Sequence, residues 1–162
     1  MDKGEIKMEK TICLDMDGTF VHLYGVRNWK RLLELHSPAP YVLARPLVNL
    51  SLLARQLNRL QKNGYKIVII SWLARNSDAN YDRLVAWAKR KWLNEHLPSV
   101  KFDEVIIVPY GTPKHTLIAE KGILFDDEKP NVNAWVESGR GRAYTPDLMF
   151  ETLKTILERG VK

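Results

Sequence analysis

Four short segments of this chain are apolar or β-branched almost without interruption, and they restrict its fold more than any other feature. They are residues 11–15, 66–71, 104–108 and 122–126. A strand with one face in water alternates apolar and polar residues, whereas a strand covered on both faces has no need to. Continuous runs of this length predict buried strands of a parallel sheet. The stretches between them carry helical spacing. Residues 47–61 place Leu50, Leu53, Ala54, Leu57 and Leu60 on one face and stop at Asn63-Gly64. Residues 80–95 form a second amphipathic pattern, with Leu84, Val85, Trp87, Ala88 and Trp92 expected toward the core. Shorter helices are expected at 115–121 and 131–137, and a last one at 147–158, entered through Pro146. Strand and helix in alternation predict an open, doubly wound α/β sheet with helices on both faces.

At 162 residues, 45% hydrophobic and 27% charged, the composition excludes a disordered chain, a collagen-like repeat and a disulfide scaffold. One domain over 1–162 is expected, with residues 21–46 as a small loop or flap over the site. That segment carries Pro38, Pro40 and Pro46 along with Tyr24, Trp29 and Tyr41. The net charge of +6 favours anionic partners: phosphorylated metabolites, nucleic acid or an acidic surface. Cys13 is the sole cysteine, residues 1–10 lack the apolar core of a secretory signal, and the apolar run 67–74 is far too short to span a bilayer. A soluble, cytoplasmic protein with no membrane partner is expected.

The chemistry lies where the strands end. The first ends in Asp15 and runs into Met16-Asp17-Gly18-Thr19, the second ends in Ser71, the third leads to a loop containing Lys114, and the fourth ends in Asp126-Asp127. In a parallel sheet these carboxyl ends share one edge, where open α/β folds bind their ligands. Carboxylates gathered there repel one another unless a cation sits among them, and an all-oxygen set that keeps waters suits Mg²⁺. Lys114 and Ser71 add a positive charge and a donor for a phosphate oxygen. A carboxylate is an accepted nucleophile for phosphoryl transfer, and a second carboxyl two residues later can act as acid and then base.

Asp15-Met16-Asp17-Gly18-Thr19 after an apolar strand, followed in order by Ser71, Lys114 and Asp126-Asp127, resembles the haloacid dehalogenase (HAD) superfamily of phosphatases. The resemblance covers the chain from Thr11 to about Glu128. It implies a Rossmann-like three-layer α/β/α sandwich with a mainly parallel sheet. It further implies that Asp15 is the nucleophile and a Mg²⁺ ligand. Asp17 would be the general acid/base, with its backbone carbonyl on the metal. Ser71 and Lys114 would hold the transferring phosphoryl group, and Asp126 would ligate the metal with Asp127 beside it. The carboxylate at Asp17 is the feature that separates phosphatases of this superfamily from dehalogenases. Neither the interval from Asp15 to Ser71 nor that from Ser71 to Lys114 holds a cap domain, so the chain resembles a capless or minimally capped member with an open site.

Blander readings exist for each residue. Asp-Gly is an ordinary turn dipeptide, and a lone strand-end serine or surface lysine means little by itself. A receiver domain also gathers acids, a hydroxyl and a lysine, but there the acidic pair comes on the first strand and the lysine last. Tyr24, Trp29 and Tyr41 fit packing of the loop onto the body, or stacking on a base or sugar. Lys89-Arg90-Lys91 reads as a solvated helix face. The four histidines show no metal-ligand spacing, and no GxSxG elbow or Walker loop is present. The expectation is a Mg²⁺-dependent phosphomonoesterase acting through an aspartyl-phosphate, on a nucleotide or a nucleic-acid terminal phosphate. Sugar-phosphate or phosphoprotein hydrolysis, transfer to an acceptor other than water, and a non-catalytic phosphate- or nucleic-acid-binding module are the alternatives.

Overall fold

The computed structural model describes residues 9–159, so most of the charged N-terminal stretch 1–10 lies outside the described residues. A five-stranded sheet forms the middle layer, in the spatial order 104–108, 66–72, 11–14, 122–125 and 143–144, with every pairing parallel. Its strands are β1 (Thr11–Leu14), β4 (Lys66–Trp72), β5 (Glu104–Val108), β6 (Gly122–Phe125) and β7 (Ala143–Tyr144). Four of these coincide with the continuous apolar runs. The fifth, β7, is two residues long and carries no run that marks it in the sequence.

Both faces of the sheet are covered, which is why its strands do not alternate. Ile12, Leu14, Ile67, Ile69, Ile123 and Phe125 point into one core, with Leu53, Leu57 and Leu60 of α3 (Leu50–Lys62) and Leu153 and Leu157 of α6 (Met149–Arg159). Trp92 and Leu93 of α4 (Ala79–His96) join the same layer. Cys13, Val68, Ile70 and Leu124 point the other way, onto Ile118 and Trp135 of α5 (Lys129–Glu137). Helices on both faces of a parallel sheet make the three-layer, Rossmann-like sandwich expected of this pattern. Buried in an apolar layer, the Cys13 thiol is held well above its ordinary pKa, mainly by desolvation.

Helix starts follow local chemistry. The Asn49 side chain accepts from the Leu52 N–H at 3.1 Å to cap α3, and Asp78 accepts from the Tyr81 N–H at 2.8 Å to cap α4. The expected helix at 115–121 is instead a single 3₁₀ turn, Lys114–Thr116. Within α4 the expected core face is only partly right. Trp92 and Val85 are buried, but Leu84 and Trp87 are 43% and 54% exposed.

Residues 21–46 are more ordered than a loop. The antiparallel pair β2 (Val21–His22) and β3 (Arg45–Pro46) encloses α1 (Trp29–Glu34) and α2 (Ala39–Leu43). This flap packs Leu23 and Tyr41 against Tyr81, Val85 and Ala88 of α4. It is pinned there by the Tyr81 hydroxyl donating to Ser37 O at 2.8 Å, by the Trp92 indole N–H donating to Ala44 O at 2.7 Å, and by a hydrogen bond between His36 Nε2 and Asn76 O at 3.0 Å.

Candidate active site

Strand register brings the first acids together. Leu14 pairs with Phe125, so Asp15 and Asp126 are the next residues on neighbouring strands, and the Asp15 N–H donates to Phe125 O at 3.0 Å. Just beyond, the chain wraps tightly, with the N–H groups of Thr19, Phe20 and Val21 all donating to Met16 O. The turn depends on Gly18 at φ +84°, where a Cβ would meet Asp127 Oδ2 at 2.2 Å. It also carries Thr19, whose hydroxyl donates to Asp15 Oδ2 at 2.9 Å.

Lys114 is 4% exposed and bridges two strands. Its Nζ donates to Asp15 Oδ1 at 2.8 Å and to Asp126 Oδ2 at 2.7 Å. Burial alone would lower its pKa, but the two carboxylates hold it above lysine's ordinary range. Its loop is fixed by the Trp72 indole N–H, which donates to Thr112 O at 2.8 Å, and the Trp72 ring lies 5.2 Å from Lys114 Nζ. Asp126 is fully buried, accepting also from the Glu128 N–H at 2.9 Å and from Asn131 Nδ2 at 3.1 Å.

Asp15, Asp126 and Asp127 each present a carboxylate oxygen, and these oxygens lie within 4.8 Å of one another. Three acids with one lysine are short of positive charge. Burial first, and then the Asp15 charge, push the Asp126 carboxyl up to about 6. Burial and the hydrogen bond with Asp15 push Asp127 up to about 8. A cation among these oxygens removes that repulsion, and a hard divalent ion such as Mg²⁺ matches an all-oxygen donor set.

Asp17 is not part of that trio. Its side chain turns to Lys89, whose Nζ donates to Asp17 Oδ2 at 2.5 Å and to Ser71 Oγ at 2.6 Å. Lys89 is 1% exposed and lies 5.0 Å above the Tyr41 ring. The solvated face expected for Lys89-Arg90-Lys91 is therefore wrong at its first residue. A lysine in mid-helix carries no local mark of burial, and what draws this one inward is the acid at Asp17, remote in sequence. Desolvation raises the Asp17 pKa and the Lys89 ammonium opposes it, with a net rise. Ser71 is 1% exposed and touches Lys89 rather than the cleft.

The six expected residues thus fall into two adjoining groups. Asp15, Lys114, Asp126 and Asp127 form one, and Asp17 and Ser71, joined by Lys89, form the other. The first group and Asp17 line a cleft of about 640 Å³ together with side chains of the flap and of the segments after β4 and β5. Side chains of the flap, among them Tyr24, Trp29 and Tyr41, thus line the cleft beside the aspartates. No helix among the described residues is long and apolar enough to cross a membrane. No protein-family model matches the chain, and no curated protein matches it.

Proposed function

We propose that this chain is a Mg²⁺-dependent phosphomonoesterase of the haloacid dehalogenase type, acting through a phosphorylated aspartate on a nucleotide or a nucleic-acid terminal phosphate. The observation that carries the reading is the meeting, at one sheet edge, of three carboxylates spaced for a cation and a buried lysine bonded to two of them. Beside them stands a fourth carboxylate with a different partner. Four acids and two lysines gathered merely for stability would be a poor arrangement, because burying charges costs more than their pairing returns.

In this reading an Asp15 carboxylate oxygen attacks phosphorus, and the bond from phosphorus to the ester oxygen breaks. Asp17 gives its proton to that leaving oxygen. Water then attacks the phosphorylated Asp15, surrendering a proton to Asp17 as the new bond forms, and the bond between phosphorus and Asp15 breaks to release phosphate. Lys114 neutralises charge on Asp15 and on the phosphoryl group. The Ser71 hydroxyl, buried outside the cleft, accepts from Lys89 and so holds that lysine against Asp17 rather than touching the phosphoryl group itself. Asp15, Asp126 and Asp127, with the Asp17 carbonyl, would hold Mg²⁺, which offsets repulsion between an anionic nucleophile and an anionic substrate.

The test is phosphate release from para-nitrophenyl phosphate and a nucleotide panel, with Mg²⁺ and with EDTA. Metal-dependent turnover that falls at least about a hundredfold in both Asp15→Asn and Asp17→Asn is expected. Turnover that survives EDTA, or that persists in Asp15→Asn, defeats the reading.

A further inference from the structure

We propose that the cleft takes a free nucleoside monophosphate, with the phosphate on the aspartate–lysine floor and the base held by aromatic side chains that line it. The inference rests on the phosphomonoesterase reading only for the place of the phosphate. The lining itself points to the rest. On the flap, Tyr24 and Trp29 meet edge to face with centroids 5.0 Å apart, and Tyr24 is left 48% exposed. From the segments after β4 and β5, Trp72 and Tyr110 line the same cleft, their rings 4.9 Å apart, and Tyr110 is 42% exposed. Arg75 covers one face of Tyr110, 4.4 Å from its centroid, and bonds to its hydroxyl, which stiffens that side chain.

Both pairs begin at the floor. The Trp72 ring is 5.2 Å from Lys114 Nζ, and Tyr24 lines the cleft together with Asp15 and Asp17. A molecule with its phosphate on Lys114 therefore carries its remaining atoms past aromatic rings that line the same cleft. A bare sugar brings hydroxyls that need polar partners, while a base brings two flat faces that aromatic rings stack upon. About 640 Å³ lies within the range of cavities that hold ligands of this size.

The same cleft disfavours a polymer. Its carboxylates outnumber its cations, with Glu34 and Glu128 joining the four aspartates against Lys30, Arg75 and Lys114 in the lining and Lys89 behind Asp17. The basic surplus of the chain therefore lies outside the cleft, and a second and third phosphate would find little to neutralise them there. The flap is also tied across to the segment after β4 through His36 and Asn76.

Binding to the Asp15→Asn protein with Mg²⁺ present, read by calorimetry, tests this without turnover. The probes are adenosine 5′-monophosphate, uridine 5′-monophosphate, ribose 5-phosphate and a short 5′-phosphorylated oligothymidylate. At least one nucleoside monophosphate is expected to bind about tenfold or more tighter than ribose 5-phosphate, and tighter than the oligothymidylate. In Trp29→Ala and Tyr110→Ala that preference shrinks toward one. Equal binding of the nucleotides and ribose 5-phosphate, no binding of any probe, tighter binding of the oligothymidylate, or a preference untouched by both substitutions overturns the proposal. Phosphate release by the unsubstituted protein is read separately. Preferential nucleotide binding without metal-dependent release leaves the nucleotide cleft standing and removes the phosphatase, while release without preference does the reverse.

Discussion

Lys89 holds two groups with one charge. Its ammonium is buried, bonded to Asp17 and Ser71, and faces the Tyr41 ring, so each of its donors has somewhere to go. Removing it strands a mostly buried carboxylate. Lys89→Met is expected to cost about 3 kcal/mol in urea unfolding, as breaking a buried pair does. The double variant Lys89→Met/Asp17→Asn recovers most of that loss, since the orphaned charge is then gone; a double variant no more stable than Lys89→Met contradicts the pairing. Asp15, Asp17, Ser71, Asp126 and Asp127 were legible because each stands at or just beyond a strand end, and Lys114 because it lies in the loop after β5; a parallel sheet collects such ends on one edge. Lys89 was not, because a lysine flanked by Arg90 and Lys91 has the local signature of a wet helix surface. Only the fold shows the acid that draws it in.

Among the elements, the flap departs most from its local sequence signals. Helices of six and five residues are too short to be stable alone or to show a hydrophobic period. They form because α4 offers Tyr81, Val85 and Ala88 as a platform for Leu23 and Tyr41. The Tyr81 hydroxyl, donating to Ser37 O, is one of three ties. Tyr81→Phe keeps the packing and loses that bond, so a stability loss of about 1 kcal/mol is expected, with faster amide exchange across residues 29–43. Unaltered exchange there would mean that the tie is not what holds the flap. Long periodic elements such as α3 and α4 were legible to within a few residues, and so were the four strands, although β5, at the sheet edge, is only half-buried where a buried strand was expected. The two-residue β7 and the flap were not, since both owe their form to neighbours rather than to their own periodicity.

At the scale of the whole molecule, the acidic cluster couples stability to pH and to metal. The carboxyls of Asp126 and Asp127 titrate near 6 and near 8 in the folded chain, raised by burial and by Asp15, whereas an ordinary carboxyl titrates near 3.8. Across roughly pH 4 to 8 the folded chain holds protons that the unfolded chain has lost, so their contribution to stability falls as pH rises. In EDTA the urea midpoint is expected to drop from about pH 5 to about pH 8, and Asp127→Asn flattens that slope. Excess Mg²⁺ raises the midpoint, most at the alkaline end, because a cation binding only the folded chain stabilises it. A midpoint that rises with pH in EDTA and ignores Mg²⁺ contradicts this account of the cluster. If Asp15 carries the phosphoryl group, Asp17→Asn is the protein in which to look for it. With para-nitrophenyl phosphate the leaving phenolate needs no proton, so the first step proceeds while the second lacks its base. Acid quenching and peptide mass mapping should find phosphate on Asp15 in Asp17→Asn and none in Asp15→Asn. An unmodified Asp15 in Asp17→Asn, with phosphate release continuing in Asp15→Asn, would show that the reaction does not pass through this residue.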